Sequence, residues 1–413
     1  MSTMSTQTAT EIGIVGGGPG GLTLARLLTM RGIPATVYER DAGPDARLQG
    51  GTLDLHLDTG QRALRAAKLE EAFGRHARPE GQDMRLLDHT GTLVYREDTP
   101  DPAPGDAPAP RPEIDRTDLR ELLLGSLPPG TVRWAHTLHA ANPAPGGGWE
   151  LHFADGSTAE HRVLIGADGA RSRLRPLLTD AEPRHLGVNA VEGTIPAIDR
   201  THPELAAAVG RGSYWVIGEG QSLAAQRCSD GRVLVHLSFH GPADWPASCG
   251  IPFDRPAEAR PALLELFADW TPTCRALIAA CEGELTSRPL TALPVGLRWP
   301  HRPGLTLLGD AAHLMPPVGL GANTAMRDAL ELADALTAHP ADPGRALHAY
   351  ESEMFVRTAE AAADSDRVMA LVHSPAGARG VAAFFNGDLG GDLGGDLGGD
   401  LSGDLSGRGA AGA

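Results

Sequence analysis

The sequence predicts an α/β fold: a parallel-sheet nucleotide domain, an antiparallel sheet domain inserted into it, and a long helix towards the C-terminal end. Three observations lead to this. A short apolar run, Glu11–Gly16, opens into a glycine-rich turn and then a leucine-faced helical stretch. The texture changes near residue 182 to alternating polar and apolar residues, and changes back near 300. Two long helical patterns, about 322–337 and 345–371, follow the return.

The elements follow in order. Glu11–Gly16 reads as a buried strand, and Pro19 to about Met30 as a helix with Leu24, Leu27 and Leu28 on one face, stopped at Gly32. Ala35–Glu39 is a second strand, which completes a βαβ start of Rossmann type. Residues 98–112 hold six prolines and form a loop, since proline removes a backbone donor and breaks helices and central strands. Arg116–Leu127 reads as a helix. Thr131–His139 and Trp149–Phe153 read as strands around a turn at Asn142–Gly148, and Val163–Ala167 as a short strand ending at Asp168-Gly169. In the inserted region Arg232–Phe239 alternates as a half-buried strand, with helical Arg260–Ala268 and Arg275–Ala280 nearby; Leu305–Leu308 restores the parallel-sheet pattern.

Bulk properties narrow the function. The chain has 413 residues, 36 basic against 52 acidic, and a net charge of −16. Phosphate-backbone binding needs a basic face, so a nucleic-acid partner is not expected. The four cysteines, Cys228, Cys249, Cys274 and Cys281, form no CxxC pair and no metal-ligand spacing. No secretory signal or membrane-spanning apolar stretch is visible, so a cytoplasmic protein is expected. Residues 387–406 repeat a Gly-Asp-Leu-Gly/Ser unit five times. Its glycine content and stacked Asp charges oppose a helix, and the tail is expected to be flexible.

Gly16, Gly18 and Gly21 form a G-x-G-x-x-G fingerprint between a strand and a helix, with Glu39 at the end of the next strand. The glycines allow a tight turn and a close approach of pyrophosphate to the helix N-terminus, whose free N–H groups favour anions. Glu39 stands where an acid accepts hydrogen bonds from an adenosine ribose. This constellation calls for a dinucleotide but leaves FAD and NAD open. Asp310, after Gly309 and the strand Leu305–Leu308, is placed to accept hydrogen bonds from a polyol chain, such as the ribityl group of a flavin.

Gly16–Gly21 with Glu39, Asp168-Gly169-Ala170-Arg171-Ser172-Arg173-Leu174-Arg175, and Gly309-Asp310-Ala311-Ala312-His313-Leu314-Met315-Pro316-Pro317 occur in that order. Together they resemble the single-component FAD aromatic hydroxylases of the para-hydroxybenzoate hydroxylase type. Within that class, Tyr38-Glu39-Arg40, Gly50–His56 and Ile114–Arg120 resemble the tetracycline-inactivating flavin monooxygenases. The resemblance runs from about residue 11 to 372.

It implies a cofactor site of Gly16, Gly18, Gly21, Glu39, Arg40, Arg47, Asp54, Arg116, Asp168, Asp310, Gly321 and Asn323. Arg116 would contact the flavin cofactor from its helix, Asp54 would sit beside the isoalloxazine, and Arg47 and Asp168 are implicated in NADPH contact. Gly319, Gly321 and Asn323 would open a helix whose N-terminus points at the ring. That loop lacks the Gly-Gln-Gly of the tetracycline enzymes, and residues 218–226 and 233–239 do not reproduce the Arg and His that grip tetracycline. His313 reads as structural within its motif.

The implied chemistry is flavin-centred, with no catalytic side chain of the protein itself and no metal. The resemblance implies that NADPH would dock as a transient co-substrate, in keeping with a single glycine fingerprint, that O2 would be activated as a flavin C4a-hydroperoxide, and that one oxygen atom would enter an aromatic or polycyclic small molecule. A flavin oxidoreductase without oxygen insertion, and a flavin-holding protein without turnover, stay open as alternatives. The expected organisation is a discontinuous FAD-binding domain over 1–181 and 301–344, a substrate domain over 182–300, a bridging helix over 345–372 and a tail over 373–413, in a monomer or weak homodimer.

Overall fold

The computed structural model describes residues 12–386, apart from 48, 102 and 104–107. The chain divides into two compact units. The first comprises Met1–Ala77, Ile114–Arg184 and Thr291–Ala362; the second comprises Arg78–Glu113, His185–Leu290 and Ala363–Ala413. The mixed α/β character and the interrupted nucleotide domain match the fold that the sequence predicts.

The first unit is built on a five-stranded parallel sheet in the order Leu305–Leu307, Val163–Gly166, Ile12–Val15, Ala35–Tyr38, Val132–Arg133. Ile12–Val15 is central and buried along its whole length, as an apolar run in a parallel sheet should be. Helix Pro19–Met30 starts with proline at its first position, where a missing N–H costs nothing, and buries Leu22, Leu24, Leu27 and Leu28. Each of those leucines contributes about 1.5–3 kcal/mol relative to exposure.

The expected strand Thr131–His139 is split. Val132–Arg133 joins the parallel sheet, Ala135 turns the chain at φ +60, and Leu138–Pro143 begins a separate three-stranded antiparallel sheet with Trp149–Phe153 and Thr158–His161. The turn after it narrows to residues 144–148, where Gly147 and Gly148 have φ +87 and +85.

The second unit is a seven-stranded mixed sheet in the order Glu282–Ala292, Arg184–Ile195, Val233–His240, Gln221–Arg227, Ser213–Ile217, Met84–Asp88, Leu93–Glu97. Its register sets Leu223 opposite Leu237 and Ser222 opposite Ser238, so one face is apolar and the other carries polar groups. The apolar face packs with Leu263, Phe267, Leu277 and Ile278 in one core.

Two boundaries differ from the expected ones. Residues 78–113, assigned by sequence to the nucleotide domain, belong to the second unit, because Met84–Asp88 pairs in parallel with Ser213–Ile217. That pairing spans well over 100 residues and leaves no local signature. The other difference lies in the segment from 373. It begins as ordered structure: Gly377–Phe385 is a helix that buries Val381, Ala382 and Phe384 and sets Phe385 5.3 Å from the Tyr95 ring. The repeat at 387–406 lies outside the described residues. Helix Pro343–Val372 is continuous and is divided between the units at residue 362. Among the described residues no helix is long and apolar enough to cross a membrane.

Candidate functional site

Every residue of the expected cofactor site lies in the first unit, and all but Arg47, which sits in the loop before strand Thr52–Asp54, are at or next to the ends of its strands or the starts of its helices. The glycine turn shows why. Gly16 has φ +109, and a Cβ there would lie 2.2 Å from the Ala167 carbonyl oxygen; a Cβ at Gly21 would lie 2.1 Å from the Gly16 oxygen. Both positions must be glycine for the chain to fold on itself. Gly18 is different, since a Cβ there meets nothing within 4 Å. The space at Gly18, just before the helix N-terminus, is open.

Glu39 follows strand Ala35–Tyr38 and is buried. Its Oε2 accepts the Gly17 N–H at 2.6 Å and its Oε1 accepts the Asp41 N–H at 3.0 Å. Each carboxylate oxygen keeps a second lone pair for a ribose hydroxyl. Asp41 is held in turn by the buried guanidinium of Arg120 at 3.0 Å, which lies 5.4 Å from the Trp134 ring centroid. Arg47 also pairs with Asp41, at 3.2 Å, but its side chain is 51% exposed, so that pair adds little stability. The Arg40 side chain is exposed. Arg120 was not singled out from sequence; a buried arginine in a helix gives no signal until its acidic partner is known.

On the other side of the fingerprint, two carboxylates flank the first turn of helix Leu320–Ala338. A Cβ placed at Gly321 would lie 3.6 Å from Asp310 Oδ1, and one at Gly319 3.6 Å from Asp54 Oδ1. The first N–H groups of that helix have no acceptor within it, so anionic and hydroxyl groups are favoured there. Burial pushes the Asp310 carboxyl above the usual range, while His313, Arg116 and Arg175 pull it down. Arg116 opens helix Arg116–Gly125, and its backbone N–H donates to the Gly51 oxygen at 3.0 Å.

The Asn323 side chain is engaged within the protein, at the start of helix Leu320–Ala338. Its Oδ1 accepts from the His56 N–H at 2.9 Å, the Thr59 hydroxyl at 3.0 Å and the Gly60 N–H at 3.3 Å, and its Nδ2 donates to the Asp54 oxygen at 2.8 Å and the Gly319 oxygen. The amide is spent on clamping the 54–60 loop to the helix. His56 adds a second hold, with Nε2 3.0 Å from Asp54 Oδ2.

Asp168 ends the Val163–Gly166 segment. Its Oδ2 accepts the Arg173 N–H at 2.6 Å, while its Oδ1 is buried without a partner and burial raises its carboxyl. Arg175, part of the Asp168–Arg175 motif but given no role from sequence, ties this loop to the next. It donates to the carbonyls of Ala170 at 2.9 Å, Asp310 at 3.1 Å and Ala311 at 2.8 Å.

The open gap at Gly18, the half-satisfied Glu39 and the carboxylates beside an open helix N-terminus fit a molecule with a pyrophosphate, a ribose and a polyol chain, which is the donor and acceptor pattern of FAD.

Comparison with known proteins agrees. The FAD binding domain family matches residues 9–194 and 298–365, more than half of the chain. A 3-amino-4-hydroxybenzoate 2-monooxygenase, PtnB3 of Streptomyces platensis, is 35% identical, with 85% of each chain covered. The fold matches the HpxO structure from Klebsiella pneumoniae complexed with FAD and uric acid, with a TM-score of 0.74 and 23% identity over 91% of this chain and 92% of that one. It also matches the tetracycline destructase Tet(55), with a TM-score of 0.70 and 17% identity over 92% and 95% of the two chains. The chain belongs to the FAD binding domain family, among its flavin-dependent monooxygenases and hydroxylases.

Proposed function

We propose that this monooxygenase takes NADPH as a visiting reductant and an aromatic or polycyclic small molecule as substrate, into which it inserts one atom of O2. The observation that carries the reading is the gathering, in one unit, of the open glycine turn, Glu39, and the two carboxylates that flank the first turn of helix Leu320–Ala338. When bound, FAD would supply the electron transfer and the activation of O2.

The chain's own residues then bind and orient. The gap at Gly18 admits the pyrophosphate to the helix N-terminus, and Glu39 accepts ribose hydroxyls. Asp310 accepts from the ribityl chain. The first backbone N–H groups of the helix, around Gly321 and just before Asn323, stabilise negative charge on the reduced ring. His56 and Asn323 keep Asp54 in place beside it. Arg40, Arg47 and Arg116 contribute positive charge at the rim, and Asp168 offers an acceptor. A single glycine fingerprint supports a nicotinamide that docks and leaves. The substrate class is supported by the 3-amino-4-hydroxybenzoate named for PtnB3 and the uric acid held by HpxO.

The test is NADPH oxidation by the purified flavoprotein against a panel of hydroxybenzoates and polycyclic phenols, with NADH in parallel. Stimulation by a ring compound, with a product one oxygen heavier, is the expected result. Stimulation only by unsaturated chains, with a product two hydrogens heavier, would replace this reading with a reductase.

A further inference from the structure

We infer that Asp328 is a positioning residue for the Gly309–Asp310 turn, and that it works through His313 and Arg357. The inference rests on the reading of Asp310 as a ligand of the flavin's polyol chain.

Asp328 sits on helix Leu320–Ala338 and is completely buried. An ionised carboxylate in that position costs several kcal/mol of desolvation unless its lone pairs are met. Here they are met by three donors of different origin. Its Oδ2 accepts the Gly309 N–H at 2.8 Å and His313 Nε2 at 2.6 Å, and its Oδ1 accepts Arg357 Nη2 at 2.7 Å. Arg357 also donates to Glu331 at 2.7 Å, and Glu331 is held by Arg327 at 2.8 Å. Burial works against the charge, but the His313 and Arg357 charges and the bonds from His313 and Gly309 outweigh it and hold the carboxyl below its usual range.

The two groups that share Oδ2 are not arbitrary. Gly309 precedes the short helix Asp310–His313 and His313 ends it, so one carboxylate oxygen pins both ends of the turn that bears Asp310. Gly309 has φ +59, and a Cβ there would lie 2.8 Å from the Ala325 Cβ, so the turn is packed directly on the helix that carries Asp328. Gly321, whose added Cβ would lie 3.6 Å from Asp310 Oδ1, stands seven residues earlier on that helix, two turns away on the same side. The helix therefore provides both the pin and the surface against which Asp310 is set. Among the described residues His313 Nδ1 is buried without a partner, and the ring's hydrogen bond there is the one to Asp328.

The test is a double-mutant cycle on FAD affinity, with dissociation followed by flavin fluorescence on dilution of each purified holoenzyme. Asp310→Ala and Asp328→Ala should each raise the FAD dissociation constant about tenfold, the worth of one charged hydrogen bond. The double variant should be no more than about threefold weaker than the weaker single variant, because both act on one contact. A double variant about a hundredfold weaker than the parent would make Asp328 an independent structural carboxylate and overturn the inference. An unchanged constant for Asp328→Ala would overturn it too. An unchanged constant for Asp310→Ala would remove the underlying reading of Asp310 instead. If Asp328→Ala does not yield soluble protein, His313→Leu takes its place in the same cycle with the same two outcomes.

Discussion

The two units use their sheets in opposite ways. The first keeps both faces of its parallel sheet for packing and presents its polar groups at strand ends: Glu39 after Ala35–Tyr38, Asp168 after Val163–Gly166 and Asp310 after Leu305–Leu307. The second pairs its strands largely in antiparallel fashion and carries polar side chains along one face, where Ser222 meets Ser238 at 2.7 Å and His236 meets Glu192 at 3.2 Å. At a strand end, position in the sequence nearly fixes position in space. On a sheet face it does not, because a cross-strand neighbour depends on a register set many residues away.

This contrast can be broken by experiment. The largest effect belongs to the strand ends. Gly16→Val drives a side chain into the Ala167 carbonyl, and the purified protein should be colourless, with no flavin absorbance. Gly18→Ala sharpens the point: with nothing within 4 Å of its Cβ, the variant should fold with an unchanged melting temperature yet hold FAD more weakly. A Gly18→Ala protein with parental FAD affinity would show that the open gap is not where the pyrophosphate sits.

The second unit should respond through stability. Phe267 is fully buried in its core, and Phe267→Ala should lower the unfolding free energy by about 3–5 kcal/mol, measured by denaturant titration, while the flavin spectrum of the folded fraction stays unchanged. A smaller loss follows for Glu39→Gln. Its amide NH2 cannot accept as a carboxylate oxygen does, so FAD affinity should fall about tenfold, and the melting temperature should fall with it because the Gly17 or the Asp41 N–H loses its acceptor.

Legibility in the sequence follows the same division. The glycine turn, Glu39, Asp168 and Asp310 were readable because each sits at a fixed offset from a strand or a glycine. Helix Pro19–Met30 was readable to the residue, since a proline opens it and a glycine follows it. The roles of Asp328, Arg175 and Arg120 were not readable, although the two arginines stand in motifs that carry the resemblance. Each is a charged residue that looks solvated in sequence, and only tertiary pairing shows that it is buried. Asn323 was placed correctly near the helix start but given a ligand role, whereas its amide is fully engaged by the 54–60 loop. Strand Met84–Asp88 was invisible as part of the second sheet because its partner lies far along the chain.

The smallest expected effect is a pH dependence in the second unit. His373 Nε2 lies 3.0 Å from the Ser238 hydroxyl, and burial, together with the charges of His240 and His236, lowers its imidazole below the ordinary value despite a bond to the Met369 carbonyl. The unfolded chain therefore takes up the proton more readily. His373 contributes fully above about pH 6.5, and its contribution falls as the pH drops below that value. Comparing the parent with His373→Gln, the difference in unfolding free energy should shrink by up to about 1 kcal/mol between about pH 7.5 and 5.5. A difference that does not change with pH would mean that the buried imidazole is not what senses protons there.

The central claim, that the first unit holds FAD for oxygen insertion, is tested most directly by turnover in isotopically labelled O2, with purified flavoprotein, NADPH and a substrate that stimulates its oxidation. The account predicts a product carrying one labelled oxygen atom for each NADPH consumed in coupled turnover. A product free of label, formed while NADPH is consumed, would contradict it.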